Sequence, residues 1–368
     1  MSGAGARARR VVVAGGGTGG HLYPGIAVAR QIQADLPGTT VTFAGTARGI
    51  EAGVVPREGF ELDLIRSAGL KGKSAAQRLR GASLLPLSAA DAWRLLSRRK
   101  PDLVVGVGGY SSGPVVAMAA LRGIPTLLLE QNAVPGLTNR LLAPLVRAAA
   151  VTYDTTLPFF RGKGFVAGNP VRAEFLQAPD HPVDPAPGAA LRVLIFGGSQ
   201  GARAINVACV EAAPQLAAAA VPLVVTHQTG QRDLEMVRDG YARAGLRARV
   251  EPFIFEMDRE MNDADLVICR AGATTLAEVT ASGRPAILIP LPSATDDHQR
   301  KNAEVLARAG AAEVIDQRDL SGNRLAVRVL ALLADPAGRA AMGRAARALA
   351  RPHAARDIAA RALALMGA

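Results

Sequence analysis

At 368 residues the chain is longer than a single domain usually is, and with 49% hydrophobic and 20% charged residues it has a globular composition, so we expect two domains. Its two cysteines, Cys209 and Cys269, cannot build a disulfide framework and lack metal-site spacing, so we expect both to be apolar core residues in a reducing cytosol. The net charge of +12 suggests an anionic partner, but only 4% of the residues are aromatic and no nucleic-acid-binding motif occurs, which disfavours nucleic acid.

Two apolar stretches are too short or too interrupted to be targeting or membrane segments. Val11–Ala14 reaches glycines after four residues, short of the roughly 7–15 residues of a signal-peptide core. Residues 212–225 contain Pro214 and Pro222 and fall below the roughly 18 apolar residues of a spanning helix. We therefore expect neither a signal peptide nor a transmembrane helix.

The chain opens on a predicted buried strand, Arg10–Ala14, followed by the glycine-rich loop GGGTGGHLYPG. The loop departs from the dinucleotide fingerprint GxGxxG because it has extra glycines, a threonine and a histidine. Its N–H groups and the helix that follows can still cradle a diphosphate. The second predicted strand, residues 40–45, is followed by Thr46 and Ala47, where an NAD enzyme would keep an acidic residue for the ribose. This difference counts against NAD.

Two further predicted strands of the first half end in polar or glycine-rich turns. PDLVVGVGGYSSGP at 101–114 predicts a strand and a second glycine loop. PTLLLEQNAVPGLTNRLL at 125–142 predicts a strand, a polar EQN turn and a helix. Doubly wound sheets bind ligands at the carboxyl ends of their strands, so these turns are candidate binding loops.

The second half repeats this organisation after a proline-rich linker. Residues 176–190 contain four prolines, and LRVLIFGGSQGARAIN then restarts the order of strand, glycines and helix. We predict an α/β protein with two Rossmann-like, doubly wound parallel-sheet domains facing across a cleft. The predicted domains are residues 1–175, joined by a C-terminal helix at about 346–368, and residues 191–345.

The stretch Asp265–Asn302 predicts a nucleotide-sugar pocket. DLVIC is typical of a buried strand, and RAGATTLAEV of a tight turn into a helix whose unpaired N–H groups attract phosphate. Glu278, a carboxylate that only accepts hydrogen bonds, can hold a ribose diol there, although it could also serve only the helix dipole. After the next strand, Asp297, His298 and Gln299 form a polar loop suited to a sugar.

The segment Lys71–Lys100 has eight basic residues against one acidic residue. A helical stripe of Leu85, Ala89, Ala92 and Leu96 predicts a core-facing side. Apolar residues outside the stripe, beside arginines, favour shallow docking on anionic lipid. These residues are Leu79, Leu84, Trp93, Arg78, Arg80 and Arg94.

Seven motifs follow one another along the chain: GGGTGGH, GGYSSGP, EQN, GNPVR, GGSQGAR, CRAGATTLAE and DDHQRKNA. In this order, from about Val11 to about Ile315, the sequence resembles the MurG family of peptidoglycan N-acetylglucosaminyltransferases, which belongs to glycosyltransferase family 28 and has the GT-B fold. The resemblance implies inverting transfer of GlcNAc from UDP-GlcNAc to the MurNAc-pentapeptide of undecaprenyl-pyrophosphate lipid I, giving lipid II.

The resemblance also implies where the protein works and with what. It implies a peripheral position on the cytoplasmic side of the cell membrane, against an anionic membrane surface. It implies no metal or other cofactor, and a role in cell wall biogenesis, cell shape and cell division, with proteins of the cell-wall and division complexes as partners.

The same resemblance assigns most of the UDP-GlcNAc site to the second half. Ser199 would bond the phosphates, Ile254 would contact uracil through its backbone, and Glu278 would hold the ribose. Arg172 would reach the donor from the hinge, with an ion pair to Glu174 as the alternative. The family usually has an amide at the position of His298. The implied donor residues are Thr18, Gly19, Gly20, Asn132, Arg172, Ser199, Ile254, Ala273, Thr274, Thr275, Leu276, Ala277, Glu278 and Gln299.

For the acceptor, the resemblance implies residues of the first half. They are Gly16, Gly17, His21, Gly108, Gly109, Tyr110 and Asn132. An inverting displacement needs a base for the acceptor hydroxyl and a stabilised leaving diphosphate. His21 is the candidate base, with a packing role at the helix entry as the alternative. Asp263-Ala264-Asp265 precedes its strand, at the edge opposite the ligands, and predicts a turn instead of a metal site.

Two other functions fit part of the sequence. One is a different GT-B enzyme that uses a UDP-sugar, such as a lipid or natural-product glycosyltransferase or a UDP-GlcNAc 2-epimerase. The GGGTGGH loop suits an acceptor pyrophosphate better than a diacylglycerol, and an epimerase needs acid and base carboxylates around the sugar. The other is a nucleotide sensor or dehydrogenase, which the missing ribose acid disfavours.

Overall fold

The chain divides into two units, Met1–Val171 with Arg351–Ala368, and Arg172–Ala350. The computed structural model describes residues 8–67, 84–177, 189–198 and 200–368. Ser199 and the predicted lipid-facing residues Arg78, Leu79 and Arg80 lie outside these ranges.

The first unit is built on a seven-stranded parallel sheet in the order β3-β2-β1-β4-β5-β6-β7. Its strands are β1 (Arg10–Gly15), β2 (Thr40–Gly45), β3 (Glu61–Leu64), β4 (Leu103–Gly108), β5 (Thr126–Glu130), β6 (Ala148–Val151) and β7 (Gly164–Val166). The strands β1 to β3 follow one another towards one edge of the sheet, and β4 to β7 follow one another towards the other edge. The order therefore reverses between β1 and β4, which leaves a crevice above the carboxyl ends of these two strands. The sequence predicted β1, β2, β4 and β5, while the short strands β3, β6 and β7 were not recognised.

Helices cover both faces of this sheet. They are α1 (Gly19–Asp35), α2 (Glu51–Arg57), α3 (Leu85–Arg99), α4 (Ser112–Leu121), α5 (Leu137–Leu142) and, from the end of the chain, α13 (Ala354–Leu365), with a 3-10 helix at Asp154–Phe160. The buried residues Ile358, Ala359 and Ala362 of α13 share one core cluster with Leu22 and Ile32 of α1. The last helix of the chain therefore completes the core of the first unit.

The predicted core stripe of α3 is only partly correct. Ala92 and Leu96 are fully buried, but Leu85 is 50% exposed. The helix begins at Leu85, and its first turn projects into solvent, so the buried side is completed by Ser88 and Leu95 instead. Trp93, predicted to lie outside the stripe, is 52% exposed.

The second unit has a six-stranded parallel sheet in the order β10-β9-β8-β11-β12-β13. Its strands are β8 (Leu191–Phe196), β9 (Leu223–Gln228), β10 (Ala248–Glu251), β11 (Leu266–Cys269), β12 (Ala286–Leu288) and β13 (Glu313–Val314). Its helices are α6 (Arg203–Ala217), α7 (Leu234–Ala244), α8 (Met257–Asp263), α9 (Ala273–Ser282), α10 (His298–Arg308), α11 (Gly322–Leu333) and α12 (Pro336–Leu349), with 3-10 turns at Ala173–Gln177, Gln231–Asp233, Thr295–Asp297 and Gln317–Asp319. Both cysteines are free and buried. Two doubly wound α/β units confirm the predicted fold class.

Within the described ranges, no helix combines the length and the hydropathy needed to cross a bilayer.

Candidate functional site

Two glycine loops meet at the switch point of the first sheet. The loop after β1 and the loop after β4 are in backbone contact, since the Gly16 N–H donates to the Gly108 carbonyl at 3.4 Å. A Cβ on Gly109, whose φ is +82°, would lie 2.5 Å from the Gly16 carbonyl oxygen. Glycine is therefore needed at these predicted acceptor positions for the loops to approach, whatever else they bind. Tyr110, next in the second loop, is 55% exposed.

Glu51, which sequence reasoning missed, holds the first glycine loop through hydrogen bonds to its backbone and to Thr46. Its carboxylate is almost fully buried and accepts hydrogen bonds from the Gly17 N–H at 2.7 Å and from the N–H and hydroxyl of Thr46, both at 2.9 Å. Burial raises its pKa, but these hydrogen bonds outweigh burial and hold the pKa below the ordinary value. The buried carboxylate of Glu51 therefore fixes the shape of the loop.

His21 lies in the first turn of α1, directly after Thr18, Gly19 and Gly20. The ring is half-buried, and its Nδ1 lies 3.1 Å from Oε1 of Gln131. Gln131 is the middle residue of the EQN turn, and sequence reasoning selected its neighbour Asn132 instead. The structure therefore joins the first glycine loop to the end of β5 through His21.

Asn132 is tied into the turn that carries it. Its backbone N–H and side-chain Nδ2 donate to Glu130 Oε1 at 3.0 and 3.3 Å. The other carboxylate oxygen of Glu130 accepts from the Gly136 N–H at 3.0 Å and from Asn139 Nδ2 at 2.9 Å. The buried Glu130 thus organises the whole turn between β5 and α5.

In the second unit, the loop after β8 interlocks with the loop after β9. Gly201 has a φ of +72°, and a Cβ there would lie 1.7 Å from the Thr229 carbonyl oxygen. A Cβ on Gly230 would lie 2.2 Å from the Gln200 carbonyl oxygen. The predicted phosphate-binding loop is therefore shaped by its contact with the end of β9.

Gln228, the last residue of β9, links two predicted donor-binding segments. Its Nε2 donates to the Gly198 carbonyl at 2.9 Å, and its Oε1 accepts from the Ile254 N–H at 2.8 Å. The side chain is almost fully buried. The predicted uracil contact, Ile254, is thus tied to the predicted phosphate loop through a residue that the sequence did not single out.

His227, expected to be structural, lies fully buried behind this loop pair. It bonds Tyr241 through Nδ1 at 2.7 Å and the Oδ1 of Asn206 through Nε2 at 3.1 Å. Burial lowers its pKa to about 3, so the ring is neutral at physiological pH. Because Asn206 Nδ2 also donates to the Thr229 carbonyl at 2.9 Å, the network supports the end of β9.

Arg172 and Glu278 form a pair, with 3.5 Å between Arg172 Nη2 and Glu278 Oε1. The Glu278 side chain is 13% exposed, whereas that of Arg172 is 47% exposed. Burial raises the pKa of Glu278 to about 7, although Arg172 acts in the opposite direction. Arg172 thus pairs with the predicted ribose-binding carboxylate and not with Glu174, and that carboxylate titrates near neutrality.

The predicted nucleotide-binding residues Ala273, Thr274, Thr275, Leu276 and Ala277 form the first turns of α9. Gly272 precedes the helix with an extended backbone, and its carbonyl accepts from the Leu276 N–H at 2.9 Å. The N-cap residue Gly272 has no side chain that could cap this helix start. Its N-terminal N–H groups therefore suit an anionic ligand.

Arg270, just before α9, is a buried cation that sequence reasoning did not select. It is 9% exposed, and its guanidinium donates to the carbonyls of Ile289 and Pro290 at 3.0 and 3.2 Å and to Gln317 Oε1 at 2.7 Å. Burial lowers its pKa from the ordinary 12.5. Because these acceptors are uncharged, the positive charge remains available at the carboxyl end of β11.

The predicted sugar-reading loop enters α10 through a left-handed turn. Asp296 and Asp297 have φ values of 56° and 54°, which is uncommon for residues other than glycine. His298 Nδ1 donates to the Thr295 carbonyl at 2.6 Å, and Gln299 Oε1 accepts from the Leu291 N–H at 3.0 Å. These bonds fix both side chains, and the Nε2 of Gln299 has no hydrogen-bond partner among the described residues.

Asp263 and Asp265 lie at the amino ends of the strands of the second sheet, opposite the loops described above. Asp263 pairs with the Arg192 guanidinium at 2.8 Å, and Asp265 accepts from the Arg192 N–H at 2.7 Å. Both carboxylates thus fasten the start of β8 to the turn before β11.

Two family models match the chain. The glycosyltransferase family 28 N-terminal domain matches residues 11–151, and the glycosyltransferase family 28 C-terminal domain matches residues 192–361.

Full-length relatives carry one common name. The UDP-N-acetylglucosamine--N-acetylmuramyl-(pentapeptide) pyrophosphoryl-undecaprenol N-acetylglucosamine transferase of Anaeromyxobacter sp. (strain K) is 48% identical over 351 residues, covering 95% of this chain and 91% of the relative. The protein of the same name from Myxococcus xanthus (strain DK1622) is 46% identical, with the same coverage.

Two solved structures are similar to the chain over nearly its whole length. Acinetobacter baumannii MurG is 33% identical, with a TM-score of 0.80, covering 97% of this chain and 99% of that one. A UDP-GlcNAc 2-epimerase from Neisseria meningitidis bound to UDP-GlcNAc has a TM-score of 0.67 over 97% of this chain and 99% of that one, but only 14% identity, which shows the shared fold alone.

Proposed function

The chain belongs to glycosyltransferase family 28, and we propose that it transfers N-acetylglucosamine from UDP-N-acetylglucosamine to the N-acetylmuramyl-pentapeptide of pyrophosphoryl-undecaprenol, which turns lipid I into lipid II. The observation that carries this conclusion is the identity of 45–48% over 95% of the chain with relatives that all bear that name. The epimerase likeness is limited to the fold.

The donor is assigned to the second unit. Glu278, when ionised, accepts hydrogen bonds from the two ribose hydroxyls, and Arg172 beside it contacts the diphosphate. Ile254 contacts the uracil, held in place by Gln228. Gln299 donates its Nε2 amide to a hydroxyl of the sugar, because its Oε1 is already bonded to the backbone.

The reaction is an inverting displacement. The acceptor hydroxyl attacks C1 of GlcNAc, the bond from C1 to the UDP oxygen breaks, and the hydroxyl proton passes to a base. His21 is the candidate base in the first unit, and the glycine loops beside it bind the acceptor. The negative charge that develops on UDP needs fixed positive groups.

We assign that charge stabilisation to protein groups and not to a metal ion. The N-terminus of α9, which follows the N-cap Gly272, presents N–H groups, and Arg270 and Arg172 supply two guanidinium groups in the same unit. The start of α6, with Ala202 as its N-cap residue, adds a second helix start in this unit.

The test is UDP release from UDP-GlcNAc in EDTA, with and without a short-chain lipid I analogue. We expect release only when the acceptor is present. Release only after Mg²⁺ or Mn²⁺ is added would retain the transferase and overturn the metal-free assignment. Bound UDP-GlcNAc without release in either condition would point to an epimerase or to another acceptor, and a diacylglycerol control separates the lipid glycosyltransferases.

Docking on an anionic membrane surface is assigned to α3 and α4 of the first unit. Trp93 and Leu121 are 52% and 69% exposed, and the Arg122 guanidinium lies 4.7 Å from the centre of the Trp93 ring. Arg94 is exposed on the same helix as Trp93. Exposed apolar side chains beside arginines suit the boundary of an anionic bilayer.

Binding to vesicles with and without anionic lipid, at low salt, tests this surface. Trp93→Ser is expected to weaken binding, while Val327→Ser, which removes an equally exposed apolar residue from the second unit, is expected to leave it unchanged. Equal binding by both variants and the wild type, or no binding to anionic vesicles, would reject the assignment.

A further inference from the structure

The amide of Gln131 is fixed between a backbone carbonyl and the ring of His21. Its Nε2 donates to the Val107 carbonyl at 3.2 Å, and its Oε1 lies 3.1 Å from His21 Nδ1. Gln131 is 2% exposed, so solvent does not compete for these bonds. A carbonyl can only accept, which means that the amide nitrogen must face Val107 and the amide oxygen must face His21.

This orientation determines which nitrogen of His21 carries the proton. The Gln131 oxygen only accepts, so the bond forms only if His21 Nδ1 carries hydrogen. A neutral imidazole carries one N–H, and its Nε2 then has a free lone pair. We propose that Gln131 is a positioning residue that holds His21 in the Nδ1–H tautomer, so that Nε2 can receive the proton of the acceptor hydroxyl; this rests on the proposed function.

The surroundings of the ring keep it in this position. His21 lies against Gly108, where a Cβ would come within 2.9 Å of Nδ1 and 3.0 Å of Cε1, so only glycine leaves room for the ring. Gln131 follows Glu130 at the end of β5, and the bonds of Glu130 to Gly136 and Asn139 hold that strand end. The ring and its partner are therefore both carried by fixed elements.

An amide partner differs from the carboxylate found beside many catalytic histidines. A carboxylate selects the tautomer and also stabilises the imidazolium that forms. Gln131 selects the tautomer without a negative charge. Its contribution is therefore orientation, and replacing it should lower kcat while leaving UDP-GlcNAc binding, assigned to the second unit, unchanged.

The direct test is nitrogen-15 NMR of the histidine rings in the full-length protein, with His21 assigned by His21→Gln. We expect a protonated Nδ1 and an unprotonated Nε2 for His21 in the wild type, and loss of this preference in Gln131→Met. A wild-type His21 that carries its proton on Nε2 would overturn the proposal. This result does not depend on activity, so it stands apart from a failure of the proposed transferase function.

Kinetic measurements on single and double variants then test whether Gln131 acts through His21. Gln131→Met should lower kcat by about 10- to 100-fold, the range known for removing the hydrogen-bond partner of a metal-binding histidine, where the partner also orients the ring. The double variant with His21→Gln should be no slower than His21→Gln alone. Independent, multiplying losses would refute the positioning role. Gln33→Met, which removes another amide-to-carbonyl bond of the first unit, is the control and should keep wild-type kcat. If Gln131→Met does not fold, the wild-type spectrum decides alone.

Discussion

Replacing Glu278 with glutamine should stabilise the ligand-free protein and weaken donor binding at the same time. Burial raises the pKa of this carboxyl group from the ordinary 4.5 to about 7, because the side chain is only 13% exposed. A carboxyl group with a raised pKa contributes stability that is complete below pH 4.5 and is lost as the pH rises through 7. Each pKa unit corresponds to about 1.4 kcal/mol, so above pH 7 the buried charge costs the folded state about 3 kcal/mol.

Glu278→Gln removes this charge and keeps the shape of the side chain. Its partner Arg172 is 47% exposed, so the guanidinium stays hydrated when the ion pair is lost. We expect the free energy of unfolding to exceed that of the wild type by up to about 3 kcal/mol at pH 8, with the difference shrinking towards zero near pH 5. UDP-GlcNAc affinity should fall by about 10- to 100-fold, since hydrogen bonds to a charged acceptor are lost.

Urea unfolding between pH 5 and 8.5 without ligand, together with calorimetric titration of UDP-GlcNAc, measures both effects. Glu174→Gln, an exposed glutamate on the neighbouring turn, is the matched control and should show no pH-dependent gain. A Glu278→Gln protein that is less stable than the wild type at every pH, or a difference that does not change with pH, would refute the reasoning.

Three further outcomes are expected. Gln228→Met should weaken UDP binding by about 10-fold or more with little change in circular dichroism, because the bonds from one amide to both donor-binding loops are lost. Glu51→Gln should destabilise the protein by about 1–3 kcal/mol at pH 7 in urea unfolding, because the amide nitrogen of the new side chain cannot accept a hydrogen bond from the N–H groups of Gly17 and Thr46. The lowered pKa of Glu51 further predicts that its stabilisation is present above pH 4.5 and is lost on acidification below it. Gly201→Ala should reduce both stability and UDP binding, since its Cβ would meet the Thr229 carbonyl at 1.7 Å, whereas Gly245→Ala, with a similar φ and open space, should lose only about 1 kcal/mol of stability.

A specific result would refute each of these predictions. Unchanged UDP affinity in Gln228→Met would mean that the two donor loops hold their positions without the bridge. A Glu51→Gln protein as stable as the wild type would show that the loop does not depend on the charge. Equal losses for the two glycine variants would remove the steric argument.

The sequence was informative where a predicted site depends on residues that are close together along the chain. The strand and helix around Glu278 follow from a continuous apolar run and a small-residue turn, and both were predicted. The resemblance to a known family supplied Arg172, which the structure places beside Glu278.

The residues that were missed depend on contacts between distant parts of the chain. Gln131 lies 110 positions from His21, and Glu51 lies 34 positions from Gly17. The sequence selected the EQN turn but not Gln131 within it, and Glu51 does not differ in type from an ordinary polar residue near a helix start. Gln228 was hidden for the same reason, 26 positions from Ile254. Only the folded sheet, which brings strand ends together, reveals such partners.

Because Arg351–Ala368 returns to the first unit, the two units can finish folding at different times during synthesis. Residues Arg172–Ala350 are contiguous and can complete their sheet as soon as they leave the ribosome, but the first unit lacks α13 until Arg351–Ala368 emerges. Translating the roughly 180 intervening residues takes about 10–35 s at a synthesis rate of about 5–20 residues per second. During that interval the apolar side of α1 that receives Ile358 and Ala362 is uncovered. Of the two units, the first is therefore made earlier but completes its core later.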